Sequence, residues 1–169
     1  MTVIMEKQKQ NKLFGLVIGI FVILMVLFVG IRTFFIDWYN VYGNSMMPTY
    51  KNGQVVFAHK IGQAERFDVV IIKADDLVGE ELIIKRVVAF EGEEVWTQNG
   101  VLHILSDGEE LTFENENYGG GDIAKIPTEI KRQVVPQGCV YVLGDNRLTS
   151  ADSRAFGAVS VDLIEAIVF

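Results

Sequence analysis

The chain has 169 residues, half of them apolar, and a formal net charge of −7 at pH 7. That length holds one domain and an appendage. The acidic balance opposes binding to phosphate backbones, and the lone cysteine, Cys139, excludes an internal disulfide.

The apolar excess is local. Leu13 to Ile31 is an uncharged apolar run that would span about 28 Å as a helix, close to a hydrocarbon core. The alternative is a cleaved secretory signal, whose apolar region covers about 7–15 residues and ends at small residues. Here bulky Phe34, Phe35 and Trp38 follow the run, which favours an uncleaved transmembrane anchor over residues 13–32. Lys7, Lys9 and Lys12 precede it and only Arg32 follows closely, so residues 1–12 are expected to form a cytoplasmic tail. Phe34, Phe35, Trp38 and Tyr39 suit the outer membrane interface, and residues 33–169 are expected to lie outside the cytoplasm. Of the 15 basic and 22 acidic residues, Lys7, Lys9, Lys12, Arg32 and Glu6 belong to the N-terminal part. The remainder therefore carries a charge near −10, and nucleic acid is not expected as a partner.

Short apolar runs rich in β-branched residues then recur: Gln54–His59, Asp68–Lys73, Glu81–Phe90, Val101–Leu105, Val134–Val135, Cys139–Leu143 and Ile164–Phe169. Turn signals separate them at Lys51-Asn52-Gly53, Asn99-Gly100, Asp107-Gly108 and Pro136-Gln137-Gly138. This predicts a mainly β domain of sandwich or barrel type. Residues 106–132 are polar and glycine-rich, and read as a loop or small flexible cap. Cys139 is expected to be a small, buried, inert thiol. His59 and His103 have no ligand cluster at metal spacing and read as ordinary strand residues, so neither metal nor cofactor is expected.

Three stretches carry reactive chemistry. In Gly43-Asn44-Ser45-Met46-Met47-Pro48-Thr49, a serine between glycine and proline sits in a constrained turn that can expose its hydroxyl. Turn capping is the ordinary role of such a serine. In Glu81-Leu82-Ile83-Ile84-Lys85-Arg86-Val87-Val88-Ala89-Phe90, Lys85 shares a strand face with Ile83 and Val87, and Arg86 shares the other with Ile84 and Val88. Both faces are apolar, so at least one charge is pressed toward a core. An edge-strand lysine could snorkel to water. A desolvated one loses its proton more readily and becomes a competent general base. Lys73 is the next candidate base. The third stretch, Leu143-Gly144-Asp145-Asn146 through Ser150-Ala151-Asp152-Ser153-Arg154 to Gly157, is dense in hydrogen-bonding groups directly after an apolar strand. Asp152 and Arg154 are spaced to meet around a turn.

Taken together, the anchor, Gly43–Thr49, Lys85-Arg86-Val87-Val88 and Gly144–Gly157 resemble the bacterial type I signal peptidases, membrane serine/lysine proteases that remove signal peptides. The resemblance covers nearly the whole chain in order and spacing, and one anchor on a short chain looks like the Gram-positive form. It implies a coiled, largely antiparallel β-sheet domain. It implies Ser45 as nucleophile, Lys85 as general base, and Ser150 as the hydroxyl that holds the lysine in place. Asp152 and Arg154 match a structural ion pair, Met46 the residue after the nucleophile, and Gly144, Asp145 and Asn146 the motif beside the site. The implied partners are secretory preproteins, cut after small residues at minus one and minus three, and the lipid bilayer, with the enzyme a monomer.

Two positions depart from the family pattern. After the lysine the family usually carries Gly-x-Pro-Gly-Asp, where this chain has Ala89-Phe90-Glu91-Gly92-Glu93. Many relatives carry a serine hydroxyl two residues before the nucleophile that helps to bind the oxyanion, where this chain has Gly43. A non-catalytic, membrane-anchored assembly factor of the same fold is the alternative reading. Loss of the serine or the lysine would mark such a protein, and both are present.

Overall fold

The computed structural model describes residues 2–113 and 129–169, with side chains described from residue 12 onward except at 32–34. It divides into two compact units, Met1–Asp37 and Trp38–Phe169. The first is dominated by one long helix, α1 (Thr2–Phe34). Within it, Lys12–Ile31 has a mean hydropathy of 3.1 and is long and apolar enough to cross a membrane. Its large apolar side chains from Leu13 to Val29 stand exposed. A helix suits that role because it satisfies every backbone donor and acceptor within itself while presenting apolar atoms to lipid. The helix begins well ahead of the expected anchor, since Glu6, Lys7, Gln8, Lys9 and Gln10 are all good helix formers.

The second unit is built from strands: β1 (Ile36–Asn40, which starts in the first unit), β2 (Val55–His59), β3 (Val69–Ala74), β4 (Glu80–Phe90), β5 (Glu94–Gln98), β6 (Val101–Ser106), β7 (Glu109–Phe113), β8 (Gln133–Val134), β9 (Cys139–Leu143), β10 (Val159–Ser160) and β11 (Ile164–Val168). Two one-turn helices, α2 (Asp75–Val78) and α3 (Ser153–Phe156), interrupt them. Seven strands form one sheet in the order β1-β2-β11-β3-β4-β9-β10, and four form a second in the order β7-β6-β5-β8. The registered pairs are antiparallel. All seven predicted runs are strands, with ends within one residue of those expected.

The sheet around β3 is covered on both sides. Val70 and Ile72 pack with Ile83, Val87, Val140 and Val142, whereas Val69 and Ile71 pack with Met46, Val56 and Ile84. A strand buried on both faces has no polar side to show, which is why Val69-Val70-Ile71-Ile72 reads as a continuous apolar run. A third cluster joins Val88, Ala89, Tyr141 and Leu143 of the large sheet to Val95, Leu102 and Ile104 of the small one.

Four strands escaped the sequence reading, namely β1, β5, β10 and β7. The last corrects the expected loop over 106–132. Asp107 and Gly108 take φ values of 51° and 82°, and Asn99 and Gly100 take 54° and 78°. Both dipeptides are two-residue hairpin turns with two left-handed residues, whose twist matches that of the strands they join. Asp107-Gly108 thus opens a strand rather than a loop. Glu109-Glu110-Leu111-Thr112-Phe113 hides its strand character behind two glutamates. Past the interval 114–128, which lies outside the described residues, Ile130 is buried and its N–H donates to Thr97 Oγ1 at 2.7 Å. Cys139 is half-buried rather than buried. His59 and His103 lie in β2 and β6, as expected.

Met46 is fully buried in the cluster formed by Val41, Val56, Ala58, Val69, Ile71 and Ile84. Met46→Ala should therefore cost about 2–5 kcal/mol, the range for truncating a core methionine, measured as a fall in the urea unfolding midpoint.

Candidate active site

Strand β4 delivers two cations side by side, and the fold treats them oppositely. Lys85 is 3% exposed and Arg86 is 5% exposed. Arg86 meets its natural partner: Nε and Nη2 grip the two carboxylate oxygens of Asp145 at 2.8 and 2.6 Å, and Nη1 donates to the Phe67 carbonyl at 2.7 Å. A guanidinium can be buried because its planar fork is satisfied bidentately by a carboxylate. Lys85 meets no carboxylate at bonding distance. Its Nζ donates to Ser45 Oγ at 3.0 Å and to the Ile84 carbonyl at 2.9 Å. Burial pushes the Lys85 amine below its ordinary pKa, and the charges of Asp152, Glu80 and Asp145 offset this in part. The folded-state value thus lies below that of the unfolded chain, near 10.4. The lysine then costs stability that grows as pH falls from about 10.4 to the folded value, and costs nothing above that window.

The turn that carries Ser45 is pinned from several sides. Val41 N–H donates to the Gln54 carbonyl at 2.8 Å, and Gly53 N–H donates to the Val41 carbonyl at 2.8 Å, closing the base of the loop. Gly43 N–H donates to Asn52 Oδ1 at 3.0 Å. Gly43 has a φ of +76°, a left-handed conformation in which a serine at this position would be strained. Met46, next to Ser45, anchors the turn in the core.

The third stretch wraps behind the pair. Asp152, with a fully buried side chain, caps α3 and accepts from Arg154 Nε and Nη2, both at 2.7 Å, and from Gly144 N–H at 3.0 Å. Arg154 also donates to the carbonyls of Arg147 and Ser150, at 2.6 and 3.4 Å. The ion pair expected from the two-residue spacing therefore forms, and it holds the whole loop. Asn146 binds the turn of Ser45 directly, its backbone N–H reaching the Ser45 carbonyl at 2.9 Å and its Nδ2 reaching the Asn44 carbonyl at 3.1 Å.

Ser150 departs from its expected place. Its hydroxyl is buried and has no hydrogen-bond partner, and Lys85 uses the Ile84 carbonyl instead. It nevertheless lies at the junction. A Cβ added at Gly144 would stand 2.1 Å from Ser150 Oγ and 2.6 Å from the Ser45 carbonyl oxygen. Lys73, near the end of β3, is exposed and paired with Glu165 at 2.8 Å, and it makes no contact with Ser45 among the described residues. The sequence reading missed Asp145 as the partner of Arg86, although the signal was available: an arginine in an apolar strand demands a carboxylate, and Asp145 stood in the motif named beside the site.

Ser45 and Lys85 open into a groove of about 510 Å³ whose walls include Trp38, Tyr39, Val41, Ile71 and Ile83. One edge of β4 borders it. β3 pairs with β4 along Glu80–Arg86, but on the other edge β9 pairs only from Arg86 onward. Among the described residues no strand pairs with that second edge between Glu80 and Lys85.

A hydroxyl beside a desolvated amine, in a groove bordered by that edge of β4, is an arrangement suited to hydrolytic chemistry. The chain matches the signal peptidase, peptidase S26, family over residues 14–169. It is 31% identical to a signal peptidase I of Bacillus caldolyticus, over 79% of this chain and 78% of that one. It is 31% identical to a signal peptidase IB of Staphylococcus aureus, over 92% and 86% respectively. A crystal structure of a signal peptidase I from Enterococcus faecalis aligns with 64% of this chain and 99% of that one, at 28% identity and a TM-score of 0.47. The chain belongs to the peptidase S26 family and is a type I signal peptidase, a serine endopeptidase. Its apolar N-terminal helix fits a membrane-anchored enzyme.

Gly144→Ala forces Ser150 or the Ser45 carbonyl to move, because the contacts at 2.1 and 2.6 Å are closer than real Cβ contacts come. The variant should lose about 1–3 kcal/mol of stability, the usual cost of overpacking, and most of its peptide cleavage. Urea unfolding and an initial-rate assay on the same preparation measure the two effects.

Proposed function

We propose that Ser45 and Lys85 are the nucleophile and general base with which this enzyme cuts signal peptides from secretory preproteins. The observation that carries the reading is the 3.0 Å contact between Ser45 Oγ and a lysine amine buried without a carboxylate partner. In its neutral form the amine accepts the hydroxyl proton across that distance, and Oγ attacks the scissile carbonyl. The resulting oxyanion is stabilised by backbone N–H groups of the nucleophile turn. Lys85 returns the proton to the leaving amine, and then activates the water that clears the acyl-enzyme. A lysine base has no tautomer to be fixed, so no third carboxylate is needed, only an apolar wall and an orienting hydrogen bond. Ser150, Asp152 and Arg154 support the loop behind the pair. The substrate binds extended along the free edge of β4, with its backbone completing the sheet and its small side chains turned into the groove.

The same reading places residues 1–12 in the cytoplasm, residues 13–32 across the bilayer, and residues 33–169 outside as a monomeric peptidase. The lysines ahead of the apolar span support this orientation. Protease added to intact protoplasts should digest the part after Trp38, and complete protection would reverse the topology.

Cleavage of a preprotein with alanine at minus one and minus three, by the full chain in detergent, tests the chemistry. Ser45→Ala should abolish cleavage and leave the melting temperature unchanged. Lys85→Arg should be as inactive as Lys85→Ala, because arginine keeps its proton in proteins. The wild-type rate should rise with pH as the amine deprotonates, with a midpoint below about 10.4 because burial disfavours the charged form. Substantial turnover by Lys85→Arg would remove Lys85 as the base.

A further inference from the structure

We propose that Asn146 is a positioning residue that aims the backbone N–H of Ser45 at the oxyanion. This rests on the reading of Ser45 as the nucleophile. The peptide group between Asn44 and Ser45 is planar and trans, so its carbonyl and its N–H point in opposite directions. Whatever fixes one direction fixes the other. The Asn44 carbonyl is held by two donors, Met47 N–H at 3.1 Å and Asn146 Nδ2 at 3.1 Å. The next carbonyl, that of Ser45, is held by the backbone N–H of the same Asn146 at 2.9 Å. Asn146 thus grips both peptide groups that flank the nucleophile, one through its side chain and one through its backbone. The N–H of Ser45 makes no backbone hydrogen bond among the described residues and remains available to a ligand.

Two further features give this grip its importance. Position 43 is a glycine and offers no hydroxyl to share the oxyanion, so the orientation of the peptide N–H carries more of the stabilisation. Asn146 is itself anchored, because its neighbour Asp145 is locked to the buried Arg86 guanidinium. The orientation of the oxyanion donor is thereby tied to β4, the strand that also carries the base.

The test uses the full chain in detergent, with Asn146→Ala and Asn146→Asp as variants. Alanine deletes only the side-chain contact and keeps the backbone one. Aspartate keeps the shape but sets an acceptor against the Asn44 carbonyl. Steady-state cleavage of one peptide should show kcat reduced about 10- to 100-fold in Asn146→Ala, the scale of a misaimed oxyanion donor. KM should be unchanged, and so should the pH midpoint of the rising limb, since Lys85 is untouched. Asn146→Asp should lose at least as much. A peptide aldehyde supplies the independent readout. Ser45 Oγ adds to the aldehyde carbon, the hydroxyl proton passes to Lys85, and the former carbonyl oxygen occupies the oxyanion position. Aldehyde affinity should fall by the same factor as kcat/KM, whereas the affinity of the matching peptide alcohol should not change. Wild-type kcat in Asn146→Ala, a loss confined to KM, a shifted pH midpoint, or undiminished aldehyde affinity would each overturn the proposal. If the variants melt early yet turn over normally per folded molecule, Asn146 is structural only and the proposal fails. Failure of wild type to cleave, or full activity in Ser45→Ala, would instead reject the parent reading, and this inference would fall with it.

Discussion

A lysine amine stays out of water only when the structure around it leaves water no room, and that constraint organises this enzyme. A carboxylate against Lys85 would hold its proton and spoil it as a base. The fold therefore supplies weak, neutral partners, a serine hydroxyl and a main-chain carbonyl. Acidic groups remain near enough to temper the effect of burial. Asp152 and Asp145 belong to that moderating field, yet each is occupied by an arginine. Two carboxylates thus lie close to the base without capturing it.

Those two ion pairs do different jobs. Arg86–Asp145 couples the strand of Lys85 to the loop that touches the turn of Ser45. Asp152–Arg154 closes that loop on itself, capping α3, holding Gly144 N–H and collecting the carbonyls of Arg147 and Ser150. Both pairs are buried, and breaking either by removing one partner would leave an uncompensated charge. Their net worth to stability is small compared with what they specify, namely the mutual position of Lys85, Ser45 and the segment between Gly144 and Ser150. Gly144 is the tightest point of that arrangement, where two segments approach until no side chain fits between them.

The edge of β4 between Glu80 and Lys85 explains how such a site meets its substrate. Exposed strand edges are normally a hazard that proteins cover or blunt. Here the open edge sits beside Ser45 and Lys85, where the proposed reading lays an extended peptide. In that reading the apolar walls formed by Trp38, Val41, Ile71 and Ile83 would supply burial, and the backbone hydrogen bonds of the edge would supply register. In the sequence, the lysines before the apolar span and the acidic excess after it lie on opposite sides of that span, the pattern that the proposed orientation calls for.

Much of this was legible in the sequence. An apolar run of membrane length, β-branched runs between turn dipeptides, and three polar motifs in a fixed order are local patterns. Local patterns report on local structure: seven of the strands and the long helix followed from them, whereas the roles expected of Ser45, Lys85, Asp152 and Arg154 came from the family resemblance. Among the strands that escaped, β7 is diluted by glutamates, β10 has only two residues, and β1 lies between the apolar helix and the turn of Ser45. What tertiary structure alone decided is which groups pair across distance. Arg86 meets Asp145, Asn146 meets the two carbonyls around Ser45, and Lys85 takes the Ile84 carbonyl while the Ser150 hydroxyl is left unpaired. These pairings join residues from separate strands and loops, and depend on sheet register, strand edge and the closeness allowed by one glycine. Alternation along a single strand can say that a charge must be buried. Only the packed sheet says what is waiting for it there.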